Sequence, residues 1–352
     1  MGLVTPGPVR VVGMGHALPA AFTQESVWTG FFAEHYRDVR VAERLFANAG
    51  VLTRHAVANP VHEDVSGWGT GARMERYLAE ALPLGKDAVS AALADAGIAA
   101  ADVGLFAVTS CTGYVTPGVD VRLSCDLGMS DRVRRLFVGH MGCYAALPGL
   151  GTVADFTAAR GRPSVLLCLE LTSLHVQPPS TEVDQVVAHA LFADAAAAVV
   201  LEPGEGPGFE VLDVVARTDV STAEYMTWDV TDLGFRMGLS PRVPDVLARH
   251  VAGVVDELLA THGLGRSDVD GWAVHPGGRR ILEVVQHRLD LAAGTLEHSY
   301  GVLRDHGNCS SATVLLVLER MRAARDVAPG RHLVALAFGP GLTLYATLLR
   351  AT

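Results

Sequence analysis

The sequence predicts an α/β protein built from two similar halves, and three observations support this prediction. Apolar residues make up 49% of the 352 positions and charged residues 19%, which indicates a large buried core and excludes intrinsic disorder. Continuous apolar runs alternate with helical patterns, as expected for central strands that helices cover. Short segments about 165 residues apart also resemble each other in the same chain order.

The internal similarity consists of three pairs of matching segments. In chain order they are 93–97 with 259–263, 142–143 with 307–308, and 158–160 with 323–325. The constant order and nearly constant spacing indicate a duplicated unit. The glycine- and proline-rich residues 203–208 are the predicted boundary, so we place the halves at 1–206 and 207–352.

Each half is predicted to contain helices and strands in the same order. In the first half these are a helix at 85–97, strands at 105–110 and 136–138, a helix at 144–159, and strands at 164–169 and 196–201. In the second half they are a helix at 246–262, a strand at 271–275, a helix at 309–325, and strands at 333–338 and 343–348. Gly97 and Gly263 end the first helix of each half, where a left-handed cap favours glycine.

The charges and cysteines exclude several classes of function. The net charge of −10 argues against nucleic acid or an anionic membrane as the main partner. Lys86, the single lysine, is predicted at the surface near a helix start, which argues against Schiff-base chemistry and a Walker-type phosphate loop. No signal peptide or membrane span is predicted, and the five scattered cysteines indicate a cytoplasmic protein with reduced thiols.

Cys143 is the predicted nucleophile. It lies between a predicted strand and a predicted helix, where backbone amides and the helix dipole lower the pKa of a thiol. A small buried core cysteine is the alternative interpretation. Cys111, which also ends a strand, is the competing nucleophile.

Two residues of the second half are predicted to act with Cys143. His275 ends an apolar strand before Pro-Gly-Gly, where an imidazole can accept the thiol proton. Asn308 occupies the position in the second half that Cys143 occupies in the first, so we predict a carboxamide directed into the same site. A helix N-cap is the alternative role for this asparagine.

No metal or redox cofactor is predicted. Residues 149–154 match a dinucleotide fingerprint in letters, but they lie inside a predicted helix rather than after a strand. His140 and Cys143 have a metal-like spacing without a second pair of ligands, which argues against zinc.

Taken together, these motifs resemble those of the type III polyketide synthases, the chalcone synthase-like family. The motifs that carry the resemblance are residues 142–143, 190–197, 275–278, 307–311 and 338–342. The resemblance implies the five-layered αβαβα thiolase-like fold of two duplicated halves, in a homodimer. It further implies that acyl-CoA and malonyl-CoA are substrates and that no cofactor is bound.

The resemblance also implies a role for each catalytic residue. Cys143 would carry the acyl starter as a thioester, and His275 would keep its sulfur ionised. His275 and Asn308 would together stabilise the enolate formed when malonyl-CoA loses carbon dioxide. Repeated condensation and ring closure would give a resorcinol or pyrone-type product, as in bacterial alkylresorcinol and alkylpyrone synthases.

Five further residues match substrate-binding positions of the family: Phe192, Met237, Cys111, His175 and Ser310. Phe192 matches a gatekeeper aromatic, whereas Met237 replaces a second one. His175 stands where smaller residues are usual, and Trp228 falls near another small position. Thr116 replaces a methionine that crosses the dimer seam in other members.

Three alternatives remain open. The first is a priming ketoacyl synthase III-like enzyme that depends on an acyl carrier protein. The second is a non-catalytic scaffold with a condensing-enzyme fold, against which the intact set of cysteine, histidine and asparagine argues. The third is a cysteine hydrolase, which would release a free acid and form no carbon–carbon bond.

Overall fold

A computed structural model describes residues 7–352 and confirms the predicted α/β class. The strands are β1 (Val9–Ala17), β2 (Ala21–Thr23), β3 (Thr53–His55), β4 (Leu105–Thr109), β5 (Arg134–Val138), β6 (Ser164–Glu170), β7 (Ala195–Pro203), β8 (Phe209–Thr218), β9 (Met226–Thr231), β10 (Gly234–Leu239), β11 (Val269–Val274), β12 (His332–Gly339) and β13 (Thr343–Ala351). The α-helices are α1 (Gln24–Val27), α2 (Ala33–His35), α3 (Ala42–Asn48), α4 (Thr70–Ala96), α5 (Val119–Asp126), α6 (Ala146–Arg160), α7 (Val183–Leu191), α8 (Val243–Thr261), α9 (Arg279–Arg288), α10 (Glu297–His306) and α11 (Ala312–Ala324).

The two halves repeat one pairing scheme. Within the described residues, a nine-stranded sheet has the order β11-β12-β13-β8-β1-β7-β6-β4-β5. β4 runs parallel to β6 as β11 does to β12, and the following strand is antiparallel in both halves. The halves join where Arg10 and Val11 face Glu210 and Phe209. The duplication is confirmed, whereas the boundary between 206 and 207 stays a prediction, and residues 1–6 of the first half lie outside the described residues.

Three hydrophobic cores separate the layers. One core fills the space between α4 and the first half of the sheet, around Phe106 and Leu167. A central core surrounds α6 and α11, which pack against strands of both halves. A third lies beneath α8 and α9, around Leu247 and Leu282. Because both central helices are enclosed by the two halves, the turns that begin them lie near the seam.

The start of one helix differs from the prediction. α4 begins at Thr70, about 15 residues before the predicted start, and continues through Pro83. Its buried positions Tyr77, Ala81 and Ala88 lie on both sides of the proline, so packing of this face offsets the lost backbone hydrogen bond. Lys86 is exposed as predicted, but it lies in the middle of the helix. The second half has no counterpart of β5 in the described range, where α9 and α10 follow β11 instead.

The sequence also predicts reduced thiols and no membrane-spanning segment. All five cysteines are free thiols. Across residues 7–352, none of the helices combines enough length with enough apolar character to cross a bilayer.

Candidate active site

Equivalent turns carry Cys143 and Asn308. Gly142 and Gly307 precede them with φ angles of 73° and 75°, a conformation that favours glycine. A Cβ atom on Gly142 would lie 2.9 Å from Cδ of Pro340, and one on Gly307 would lie 3.0 Å from the backbone oxygen of Leu191. Each turn leads directly into a central helix, α6 or α11, so the duplication sets both positions.

The Asn308 carboxamide is oriented by its own turn. Its Oδ1 accepts hydrogen bonds from the backbone N of Ser310 at 2.9 Å and from Oγ1 of Thr313 at 3.4 Å. Its amide group is thereby free to bond to the sulfur of Cys143, and this bond lowers the pKa of the thiol. α11 begins at Ala312, so Asn308 is not its N-cap.

His275 is held by its backbone and leaves its ring unpaired. It follows β11 directly, and its backbone N donates to the oxygen of Leu336 at 2.7 Å. The ring is fully buried and packs edge-on against Phe338, with centroids 5.6 Å apart. Neither ring nitrogen has a hydrogen-bond partner within residues 7–352. Since an unpaired buried nitrogen is costly, this imidazole is suited to bond to a thiol or a substrate.

The three side chains line one cavity of about 730 Å³, which we call the outer cavity. Most of its wall is apolar and includes Val183, Val187, Met226, Leu239, Val243 and Ile281. It reaches the surface beside Arg279 and Arg280, whose side chains are 62% and 74% exposed. The structure therefore brings the three predicted residues together in a chamber that opens to solvent.

A second and much smaller space, the inner pocket, lies on the other side of Cys143. Its volume is about 20 Å³, which is room for about one water molecule. Phe192, Met226 and Met237 line both spaces. The gatekeeper role of Phe192 stays a prediction. Cys111 and Ser310 line the inner pocket. Ser310 has a positive φ of 48°, and such strain in a residue other than glycine is typical of functional sites.

His175, a predicted substrate-binding residue, lies in a different cavity from Cys143. It does not line the space next to Cys143 but a separate cavity of about 50 Å³, behind Trp228. Its Nε2 lies 2.7 Å from the backbone oxygen of Thr112, and its Nδ1 accepts from the backbone N of Phe235 at 2.9 Å. The ring also stacks on Phe235 at 4.5 Å. Burial lowers the pKa of His175 to about 3, so it stays neutral and serves as part of a wall.

Trp228 lies between His175 and the inner pocket. Its Nε1 donates to the backbone oxygen of Cys111 at 2.8 Å, and its ring meets His175 edge-on at 5.4 Å. The inner wall, which we define as His175, Trp228 and Phe235, is therefore fixed by hydrogen bonds as well as by stacking. Of these three residues, Trp228 lines the inner pocket.

The net change in the pKa of Cys143 is opposite to the prediction, because burial outweighs the groups that lower it. Burial raises the pKa of the Cys143 thiol to about 12, although hydrogen bonds from Ser310 and Asn308 lower it. Burial also lowers the pKa of His275 to about 3. Each group alone is therefore neutral at pH 7, because the interior disfavours a single charge. Transfer of a proton from sulfur to imidazole keeps the net charge constant and gives each ion a counter-ion.

Sequence reasoning missed Glu170. This carboxyl is 1% exposed at the end of β6 and accepts hydrogen bonds from Thr112 Oγ1 at 2.9 Å and from Ser311 Oγ at 2.6 Å. Burial raises its pKa to about 7. A carboxylate that ends an otherwise apolar strand was the available sequence signal, because buried acids are rare without a partner.

Glu170 lies close to Cys111, the competing nucleophile. Its carboxyl lies 3.5 Å from the sulfur of Cys111. Burial, together with this nearby carboxylate, raises the pKa of Cys111 well above its usual value. Cys111 does not line the outer cavity, whereas Cys143 does. Burial and Glu170 raise the pKa of Cys143 as well, so its place in the outer cavity beside His275 and Asn308 is what favours Cys143 as the nucleophile.

Comparison with known families agrees with this site. Residues 3–207 match the N-terminal domain of chalcone and stilbene synthases, and residues 214–352 match the C-terminal domain. The chain belongs to the chalcone and stilbene synthase family. It is thus a type III polyketide synthase, an acyltransferase, and the predicted class of enzyme is confirmed.

Relatives and solved structures cover nearly the whole chain. A 1,3,6,8-tetrahydroxynaphthalene synthase of Streptomyces peucetius subsp. caesius is 38% identical over 89% of this chain and 84% of its own length. A 3,5-dihydroxyphenylacetyl-CoA synthase of Streptomyces toyocaensis is 32% identical over 99% of this chain and 91% of its own. The crystal structure of PKS-I from the brown alga Ectocarpus siliculosus has a TM-score of 0.93 at 29% identity, covering 99% of this chain and 100% of that one. The predicted thiolase-like fold is confirmed.

Proposed function

We propose that this synthase loads an acyl group from an acyl-CoA starter onto Cys143 and extends it with malonyl-CoA units. The observation that carries the proposal is that a thiol, an unpaired imidazole and an oriented carboxamide line one cavity that opens to solvent. Repeated condensation and cyclisation then give a resorcinol or pyrone-type product.

Loading begins with proton transfer from the Cys143 thiol to a ring nitrogen of His275. The sulfur then attacks the thioester carbonyl of the starter, and the carbon–sulfur bond to coenzyme A breaks. The leaving thiolate takes the proton back from His275 and departs as free coenzyme A. Coupling the transfer to the approach of substrate avoids a single buried charge, which the pKa values of both groups disfavour.

Extension uses the second half of the site. When malonyl-CoA loses carbon dioxide, the electrons of the broken carbon–carbon bond form an enolate. Its oxygen accepts hydrogen bonds from a ring N–H of His275 and from the Asn308 amide, which already point into the cavity. The enolate carbon then attacks the acyl thioester, a carbon–carbon bond forms, and the sulfur of Cys143 is released for the next round.

The outer cavity has features that suit a coenzyme A thioester. Arg279 and Arg280 lie at its mouth in the first turn of α9, where guanidinium groups and the helix dipole both attract phosphate. Its apolar wall accommodates a pantetheine arm and an alkyl chain. The inner pocket is too small for a long chain, so we place the starter chain in the outer cavity, which supports an alkylresorcinol or alkylpyrone-type product.

We also propose a homodimer. β5 is an edge strand of the sheet, and Phe137 on it is 38% exposed beside Tyr114, which is 69% exposed. A pocket of about 220 Å³ lies between these residues and Thr116. An open apolar edge favours pairing with another strand, and a second copy supplies one. Sedimentation of the wild type and of Phe137→Asp tests this, with a shift to monomer expected for the variant.

The substrate test measures carbon dioxide, coenzyme A and product from acyl-CoA and malonyl-CoA. The proposal predicts all three for the wild type and no product for Cys143→Ala. Free acid without a new carbon–carbon bond would favour the hydrolase. Activity with malonyl carrier protein but not with malonyl-CoA would favour the priming enzyme, and no turnover and no adduct would favour the scaffold. The cytoplasmic location stays a prediction.

A further inference from the structure

A three-residue strand contacts two parts of the site that are far apart in the sequence. β3 pairs with β2 in a separate small sheet, and it lies against the ends of α7 and α10. α7 ends just before Phe192, and α10 ends just before the turn that carries Asn308. β3 is therefore placed where it can set the positions of both residues.

Arg54, the middle residue of β3, holds the end of α7. Its side chain is buried, and Nη1 donates to the backbone oxygens of His189 at 2.5 Å and Phe192 at 3.0 Å. The C-terminal carbonyls of a helix carry partial negative charge, which a guanidinium stabilises. Burial lowers the pKa of Arg54 only to about 10, so the group stays charged at neutral pH.

The segment that Arg54 holds is bonded directly to Asn308. The backbone N of Asn308 donates to the oxygen of Leu191 at 2.9 Å, and the backbone N of Ala193 donates to the oxygen of Asn308 at 3.0 Å. These two bonds enclose Phe192, whose carbonyl is an acceptor for Arg54. A displacement of this segment thus moves Phe192 and Asn308 together.

The neighbouring His55 holds the same turn from the other side. Its Nδ1 donates to the oxygen of Pro19 at 2.9 Å, so its Nε2 accepts the hydrogen bond from Nδ1 of His306 at 3.2 Å. His306 immediately precedes the Gly307 turn. Burial lowers the pKa of His55, and that of His306 to about 4, so both rings stay neutral near pH 7, as this bond requires.

Burial of the Arg54 guanidinium destabilises the fold unless its hydrogen bonds offset the loss of hydration. Its Nε and Nη2 have no partner within the described residues, and the rings of Phe22 and Phe46 lie 5.9 Å from its central carbon. A buried cation with unpaired donors destabilises a fold, and an apolar side chain would fill this space at lower cost. We attribute the presence of a charged residue at position 54 to its hydrogen bonds with the carbonyl groups at the end of α7.

From these contacts we infer that Arg54 is a positioning residue for the decarboxylation step, because it fixes the Asn308 carboxamide through the segment around Phe192. The inference rests on the proposed function. Cys143 and His275 lie on other elements and form no hydrogen bond with Arg54 within residues 7–352. Decarboxylation uses the Asn308 carboxamide directly, whereas acyl transfer depends on it only through one of several hydrogen bonds that lower the pKa of Cys143. Loss of the guanidinium therefore impairs decarboxylation more than acyl transfer.

The test compares Arg54→Ala, Arg54→Gln and Arg54→Lys in the two half-reactions. Carbon dioxide release from malonyl-CoA measures decarboxylation, and rapid-quench mass spectrometry of Cys143 with hexanoyl-CoA measures acyl transfer. Arg10→Ala is the matched control, because Arg10 is also buried and donates to the carbonyls of Gly204 at 2.6 Å and Pro207 at 2.8 Å, but it lines neither space at Cys143.

For Arg54→Ala we expect carbon dioxide release to fall about 10- to 100-fold in kcat, since a misplacement of about 1 Å has that effect. Acyl transfer should fall by a clearly smaller factor. Arg54→Lys should recover most of the lost rate because its ammonium still reaches the carbonyls. In Arg10→Ala the ratio of the decarboxylation rate to the acyl-transfer rate should equal that of the wild type. If Arg54→Ala does not fold, Arg54→Gln carries the same comparison.

Three results would overturn the inference: equal losses in both half-reactions, no loss in decarboxylation, or a lysine variant no better than the alanine variant. A wild type that neither releases carbon dioxide nor accepts an acyl group would instead overturn the proposed function. The two failures are therefore distinguishable in one set of measurements.

Discussion

The two spaces that meet at Cys143 differ in size and lining. The outer cavity has a volume of about 730 Å³, a mostly apolar wall and an opening beside Arg279 and Arg280. The inner pocket has a volume of about 20 Å³ and ends at Trp228, which is fixed by a hydrogen bond. Cys143 therefore lies between a space large enough for a thioester substrate and a space no larger than about one water molecule.

The largest effect is expected at the boundary itself, from His275→Gln. Without the base, burial keeps the pKa of the Cys143 thiol high, so alkylation of Cys143 by iodoacetamide at pH 7 should fall about 100-fold. The residual rate should rise with pH to above pH 9. Peptide mass spectrometry measures the rate, and the exposed Cys125 in the same sample is the control. An unchanged rate at Cys143 would show that His275 does not take its proton.

Trp228→Ala tests the inner side of the comparison. Removal of the indole joins the inner pocket to the 50 Å³ cavity behind it, so the main product should gain one or more two-carbon units. Liquid chromatography with mass spectrometry measures the products. Val230→Ala is the matched control, because Val230 lies on the same strand β9 and is 72% exposed. Identical products from wild type and Trp228→Ala would show that the inner wall does not set the length of the product.

A smaller effect is expected at the outer mouth. The double variant Arg279→Gln and Arg280→Gln should raise KM for malonyl-CoA about tenfold and leave kcat nearly unchanged, because the exposed guanidinium groups contribute binding and no chemistry. Malonyl-pantetheine, which lacks the nucleotide phosphates, is the control substrate. Its KM should be the same for the double variant and the wild type. An equal rise in KM for both substrates would contradict phosphate binding at this mouth.

The smallest effect concerns stability and Glu170. Its pKa of about 7 lies above the usual 4.5, so the fold favours the protonated carboxyl. The contribution to stability is therefore present below about pH 4.5 and lost as pH rises through about 7. Glu170→Gln lacks this loss, so the difference in Tm between variant and wild type should grow from pH 5 to pH 8. A constant difference would show that Glu170 is ionised throughout.

Three residues that the sequence predicted to act together line one cavity, and each has a local sequence signal. Cys143 and Asn308 occupy repeated positions before repeated helices, and His275 ends a clearly apolar strand. The fold class followed from the same repeat and from the apolar strands. The α4 start was missed because Pro83 resembled a helix boundary, whereas packing of one helix face overrides that signal.

Other residues could not be placed because long-range contacts decide their roles. The ring of His175 turns away from Cys143 since Phe235, 60 positions later, bonds to it and stacks on it. Arg54 lies in a strand too short for any periodicity, and its acceptors lie more than 130 positions away. The pKa of Cys143 depends on burial, which outweighs the helix start that the sequence shows.

The most direct test of the central claim identifies the sulfur that carries the acyl chain. The wild type is incubated with hexanoyl-CoA, digested, and its cysteine-containing peptides are weighed. We predict a hexanoyl adduct on Cys143 that Cys143→Ala abolishes and Cys111→Ser leaves intact. An adduct on Cys111 instead, or its persistence in Cys143→Ala, would contradict the assignment of the nucleophile.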